Sequence, residues 1–227
     1  MSYVFPPPPV VSVPIADRDN SFPVHRIYCV GRNYGDHVKE MGGDPRKEPP
    51  VFFSKPASAI VTGNQDVSYP PATNELHHEV ELVVALRSGG HQISTDRALD
   101  CVFGYAVGVD FTRRDLQAEA KRDGKPWDLA KGFDQSAPVS AIQPREGLAP
   151  PSAAITLSVD GELKQDGMLT DMIWSVPEII SELSNYFELR AGDLIFTGTP
   201  AGVSAVSRGH RIEAAIADIG SIQFQVL

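Results

Sequence analysis

Short apolar stretches, alternating or continuous and broken by Gly and Pro, run through most of this chain, and they predict strands. The first falls at 24–30, followed by the turn Gly31-Arg32-Asn33-Tyr34-Gly35. A polar segment, 36–41, has room for one or two helical turns before Gly42-Gly43-Asp44-Pro45 breaks it. Val51-Phe52-Phe53-Ser54-Lys55 is a short strand stopped by Pro56. Residues 157–163 read as a hairpin turning at Asp160-Gly161, and 193–196 as a buried strand. Residues 211–226 alternate like two strands around Asp218-Ile219-Gly220. Helical signals are fewer. Residues 113–123 are rich in helix formers and end at Gly124. Ser175-Val176-Pro177-Glu178 is a capping box with proline in the first turn. The helix it opens is expected to bury Val176, Ile179, Ile180, Leu183 and Phe187 and to end at Ala191-Gly192. Residues 1–22 are Pro-rich without helical periodicity and read as an extended arm, leaving 23–227 as one domain. Many short strands with a few helices predict a β-rich α+β fold rather than a doubly wound sheet.

Polar residues at the ends of the apolar runs carry the candidate chemistry. Glu79 and Glu81 alternate with apolar residues ahead of Val83-Val84-Ala85-Leu86, so they share one face of a strand. Asp110 ends a second apolar run, 103–109. Carboxylates crowded in this way repel unless a cation lies between them. Three of them suit a hard divalent ion, Mg²⁺ or Mn²⁺, with positions left for water and substrate. From pattern alone the commoner reading is the solvated face of an edge strand. His37 and Glu40, three apart, share a face of a helical turn, so the carboxylate can orient the imidazole as a base toward water; solvated surface residues show the same spacing. Arg114 and Gln117 lie one turn apart, and Arg114 can grip a carboxylate with two N–H groups. Lys131, among small and apolar neighbours, reads as a surface charge at a strand end. The loop Thr197-Gly198-Thr199-Pro200-Ala201-Gly202 offers amides and hydroxyls to a carboxylate, or is a plain turn; it lacks the ending of a phosphate-binding loop.

Composition trims the alternatives. A net charge of −9 and a pI near 5.1 argue against a nucleic-acid surface. No apolar run has the length of a membrane span, and the N-terminus lacks the basic and apolar regions of a signal peptide, which leads us to expect a cytoplasmic protein. Cys29 and Cys101 sit in apolar runs without metal-ligand spacing and read as buried free thiols.

Six motifs occur in order: Gly31-x-Asn33-Tyr34-x-x-His37, Phe53-x-Lys55-Pro56, His77-His78-Glu79-x-Glu81-Leu82, Asp110-x-Thr112-x-Arg114-Asp115-x-Gln117, Leu129-Ala130-Lys131-x-Phe133-Asp134 and Thr197-Gly198-Thr199-Pro200-x-Gly202-Val203. Together they resemble the fumarylacetoacetate hydrolase superfamily, in its short acylpyruvase branch, over roughly residues 23–227. The resemblance implies a mixed β-roll of the fumarylacetoacetase C-terminal type, usually a homodimer. It implies a Mg²⁺ or Mn²⁺ on Glu79, Glu81 and Asp110, a water-activating pair His37 and Glu40, Lys131 and Gln117 at the reacting oxygens, and Arg114 and Thr199 against the substrate. Long eukaryotic members carry a further acidic ligand where this chain has Val30, so three protein ligands are expected. The implied substrate is a small dianionic keto acid. Hydrolysis of a 2,4-diketo acid is expected, with fumarylpyruvate, a step of gentisate-type aromatic breakdown, as the preferred case. The alternatives are oxaloacetate decarboxylation, isomerisation or hydration of dienoic diacids, and a non-catalytic binding module.

Overall fold

The computed structural model describes residues 2–36 and 49–227. Its centre is a six-stranded sheet built from β1 (Ile27–Gly31), β2 (Val51–Lys55), β4 (Val80–Leu86), β5 (Val102–Val109), β7 (Gln143–Pro144) and β10 (Leu194–Phe196), in the order β7-β5-β4-β10-β1-β2. Only β10 and β1 run parallel. A four-stranded antiparallel sheet packs beside it, ordered β9 (Glu162–Met168), β8 (Ala154–Val159), β12 (Arg211–Ile216), β13 (Gly220–Gln225). A small sheet joins β3 (Leu76–His77), β6 (Thr112–Arg113) and β11 (Ala205–Val206). The helices that matter here are α1 (Arg114–Asp123), α2 (Asp128–Lys131) and α3 (Val176–Tyr186). The expected β-rich α+β class is the one observed.

All seven residues of β4 are buried, because the central sheet is covered on both faces. Val80, Leu82, Val84 and Leu86 join the larger core, with β8, β12 and α3. Val83 and Ala85 join a smaller core with Cys29, Ala106 and Phe196 on the opposite face. This is the strand period of two, read out in space. Glu81 shares the parity of Val83, so it lies on the smaller core's face and not on a solvated edge.

Several local signals act as their chemistry dictates. The turn at Asp160-Gly161 has φ of 51° and 80°, as a tight hairpin requires, and Gly124 closes α1 with φ 64°. Glu178 accepts the Ser175 N–H at 2.8 Å, completing the capping box. Two expectations fail at the far end of α3. The helix stops at Tyr186 rather than at Ala191-Gly192, and Phe187 is extended and 40% exposed rather than core. Leu189 is responsible: it exchanges two backbone hydrogen bonds with Gly90 and draws the chain out of the helix. The Phe187 ring rests on Tyr28, 5.0 Å between centroids.

Within the N-terminal stretch, Ser12–Pro14 pairs antiparallel with Ser21–Pro23. Val13, Ile15 and Phe22 are buried in the smaller core. Cys29 and Cys101 are free and buried, as expected.

Candidate metal and substrate site

The carboxylates of Glu79, Glu81 and Asp110 meet where β4 begins and β5 ends. Antiparallel pairing sets Val80 opposite Val109, so the chain entering one strand lies beside the chain leaving the other. The Asp110 N–H donates to the Glu79 carbonyl at 2.8 Å and fixes this junction. All three residues are buried, and one ligand oxygen from each lies within 4.8 Å of the others.

Two lysines approach the cluster from the smaller-core side. Lys131, the last residue of α2, donates from Nζ to Glu79 Oε2 at 2.9 Å and to Asp110 Oδ2 at 2.6 Å. It is 2% exposed, which corrects the reading of it as a surface charge: its partners come from other strands and cannot be seen in its own neighbourhood. Burial opposes its charge, but Asp110 and Glu79 outweigh that and raise its pKa. Lys55, at the end of β2, sets Nζ 2.8 Å from Asp110 Oδ1 and donates to the carbonyls of Phe111, at 3.2 Å, and Lys131. Lys55 stands in a motif but received no role from the sequence, although a lysine closing an apolar strand was a usable signal.

Glu81 has the least help. Its Oε2 accepts the Gly198 N–H at 2.8 Å, yet burial first, then Asp110 and Glu79, push its pKa well above the ordinary carboxylate range. Asp110 Oδ1 faces Lys55 without an aligned hydrogen bond. A buried, oxygen-only donor set with one carboxylate held against its preferred charge, and an oxygen still lacking a donor, fits a hard divalent cation. Val30, where longer relatives were expected to have a fourth acid, is 1% exposed in β1 and lines the cavity.

The remaining candidates surround this cluster. Arg114 opens α1, pairs through Nη2 with Glu79 Oε1 and donates from Nη1 to Gln117 Oε1 at 2.6 Å. Thr199 is buried, and its Oγ1 accepts from Gln165 Nε2 at 2.7 Å. The loop carrying it does bind a carboxylate through an amide, but that carboxylate is Glu81. One cavity is lined by Glu79, Glu81, Arg114, Gln117, Lys131 and Thr199 together. His37 and Glu40 lie outside the described residues.

Two supporting residues escaped sequence reasoning. Gln165 of β9 accepts the Val80 N–H at 3.0 Å and meets His78 Nδ1 at 2.9 Å, so one side chain ties the metal-side strand to the Thr199 loop. Since Gln165 Oε1 only accepts, His78 donates from Nδ1 and accepts a hydrogen bond from the Ser204 hydroxyl at Nε2, which makes it a neutral, buried positioning residue. Asn33 donates from Nδ2 to the Thr197 carbonyl at 2.7 Å and accepts the Trp174 N–H at 2.7 Å, pinning the same loop. Nothing in the polar pattern of β9 marks Gln165, whereas Asn33 was at least inside a motif.

The fold and this site define a metal-centred enzyme scaffold, and the comparisons agree. Residues 26–227 match the family model described as fumarylacetoacetate (FAA) hydrolase C-terminal, and the chain belongs to that family. The crystal structure of fumarylpyruvate hydrolase from Pseudomonas aeruginosa in complex with Mn²⁺ and pyruvate superposes with a TM-score of 0.97 at 48% identity, covering 100% of this chain and 99% of that one. The mitochondrial oxaloacetate tautomerase FAHD1 of Rattus norvegicus is 48% identical over 201 residues, 88% of this chain and 90% of its own. The 2-hydroxyhepta-2,4-diene-1,7-dioate isomerase of Mycobacterium marinum is similar at 30% identity, with a TM-score of 0.78 over 92% of this chain and 81% of that one. No helix among the described residues is long and apolar enough to cross a membrane.

Proposed function

We propose that this chain is a metal-dependent hydrolase of acylpyruvates, with fumarylpyruvate as the preferred substrate. The observation that carries this reading is the convergence in one cavity of an acidic cluster, Lys131, and the Arg114–Gln117 pair. Full-length similarity to a fumarylpyruvate hydrolase that binds Mn²⁺ and pyruvate supports it, because the matched length includes the N-terminal hairpin.

Glu79, Glu81 and Asp110 hold the ion, Mg²⁺ or Mn²⁺. When bound, it supplies charge that orients the 2-keto acid end of the substrate and stabilises an enolate. Arg114 and Thr199 bind the substrate's carboxylate end, and Gln117 orients a reacting oxygen. His37, oriented by Glu40, takes a proton from water, and the resulting hydroxide attacks the distal carbonyl. Lys131, whose ammonium bridges Glu79 and Asp110, stabilises the oxyanion that develops there. The bond between C3 and C4 then breaks, fumarate forms, and pyruvate leaves as its enolate, which takes up a proton. In this account the active unit is a cytoplasmic homodimer serving aromatic catabolism.

The tautomerase relative favours a second reading, enol chemistry on oxaloacetate by tautomerisation or decarboxylation. The same carboxylates and lysine serve it, but no water need attack. A turnover screen separates the two: the metal-loaded protein is offered fumarylpyruvate, acetylpyruvate and oxaloacetate with Mg²⁺ and with Mn²⁺. The proposal expects the acylpyruvates to show the higher kcat/KM. Poor cleavage of both beside rapid turnover of oxaloacetate overturns it.

A further inference from the structure

Two cations that line the cavity, Arg32 and Lys121, have no part in the chemistry above, and Lys121 belongs to α1. Arg114, Gln117 and Lys121 are spaced i, i+3, i+7 on α1 and line the same cavity, so they stand on one helix face. Arg114 is engaged by Glu79 and Gln117, and Lys131 by Glu79 and Asp110. Lys121 is half-buried, and its ammonium has neither a hydrogen bond nor an ion pair with a described residue. Among the described residues it faces the indole ring of Trp127, 5.2 Å away. Burial, then the guanidinium groups of Arg114 and Arg32, push its pKa down to about 8. A partly buried cation among other cations, with no counter-ion in contact among the described residues, is unfavourable until an anion arrives.

The spacing gives that anion a place. Lys121 lies seven residues beyond Arg114, roughly 10 Å along the helix axis. With C–C bonds of about 1.5 Å, a seven-carbon diacid spans roughly 7–8 Å between its end carbons and a four-carbon diacid about 4 Å. Held by its keto-acid end at the carboxylate cluster, only the longer molecule brings its second carboxylate near Lys121. Trp127, whose ring packs 5.7 Å from Phe53, offers a flat apolar wall for the chain between the two ends, and both rings line the cavity. Resting on the keto-acid reading of this site, we infer that Lys121 anchors the far carboxylate of a long diacid substrate and thereby sets the chain length the site prefers.

The test is calorimetric binding to the Mn²⁺-loaded protein, with 2-oxoheptanedioate and 2-oxoheptanoate as probes. They share head group and length, lack the 4-keto group that cleavage needs, and differ only in the far carboxylate. The wild type is expected to bind the diacid roughly 10–100-fold more tightly, the range of a charge-assisted hydrogen bond. In Lys121→Met that ratio falls to about one, and in Lys121→Arg most of it remains. An unchanged ratio in Lys121→Met, or a wild type without preference for the diacid, overturns the inference. Because neither probe is cleaved, a Lys121-dependent preference beside absent acylpyruvate turnover supports the anchor while sinking the hydrolase reading. Turnover with no such preference does the reverse.

Discussion

A shortage of partners sets Glu81 apart from the other two buried carboxylates. Among the described residues, Glu79 is met by Arg114, Lys131 and Thr112, and Asp110 by Lys131 and Lys55, whereas Glu81 accepts one backbone N–H. Its charge is therefore the one that a bound ion relieves most. Glu81→Gln keeps an oxygen for the Gly198 amide and removes the disfavoured charge. In EDTA the variant should unfold at the wild-type temperature or above. Saturating Mn²⁺ should raise the wild-type midpoint, by about 2.7 kcal/mol of stabilisation at a hundredfold excess over Kd, and leave the variant unmoved. Thermal scans with and without Mn²⁺ decide it, and equal shifts in both proteins would remove Glu81 from the ligand set. The three acids stood out in the sequence at the ends of apolar runs, but pattern alone favoured a solvated edge, and only the six ordered motifs pointed to one shared site. Lys131 was misread as surface, and Gln165 was missed. Both owe their burial to partners from distant strands, which local pattern does not encode.

At the scale of elements, the loop after β10 links the site to the sheet. Gly198 has φ +95°, and a Cβ there would meet the Asn33 Cβ at 2.7 Å and the Val30 carbonyl at 3.2 Å. Only glycine fits, and its N–H is the one that holds Glu81. Gly198→Ala should cost at least about 1–3 kcal/mol in backbone strain and lower metal-dependent turnover together with it. Urea denaturation and kcat/KM on the same preparations test the link. Unchanged turnover in a destabilised variant would show that the amide is not needed. The Gly/Thr composition marked this segment as special, and its Gly198 amide has a use that the sequence did not name. The amide serves the protein's own carboxylate, because the loop is folded back over β1 by Asn33. Capping and turn chemistry were read correctly at α3 and at Asp160-Gly161, since both depend on adjacent residues. The end of α3 was not, because Gly90 captures Leu189 from another part of the chain.

Across the whole molecule, the central sheet is sandwiched, and the smaller of its two cores is completed by the N-terminal hairpin. Phe22 packs 5.6 Å from the Phe103 ring, and Ala16 donates to the Ile142 carbonyl at 2.9 Å. Val11, Val13 and Ile15 alternate with Ser12 and Pro14 at the strand period, a signal that the Pro-rich composition around them obscured, whereas Phe22 has no such pattern. Phe22→Ala should cost about 3–5 kcal/mol by chemical denaturation, the usual penalty for a large core truncation. A loss within about 0.5 kcal/mol would mean that the hairpin lies on the core without stabilising it. The same core face carries Glu81 and Asp110, so scaffold and chemistry share one wall. Whether that chemistry is hydrolysis turns on the water. Carbon dioxide or a tautomeric proton can leave oxaloacetate without nucleophilic attack, whereas an acylpyruvate cannot be split without it. The most direct measurement is kcat/KM of the Mn²⁺-loaded wild type and His37→Ala on fumarylpyruvate and on oxaloacetate. Our account predicts that fumarylpyruvate is the better wild-type substrate and that the variant loses roughly 10²–10⁴-fold on it, the contribution of a positioned base, while oxaloacetate turnover falls far less. Equal losses on both substrates, or oxaloacetate as much the better substrate of the wild type, would contradict it.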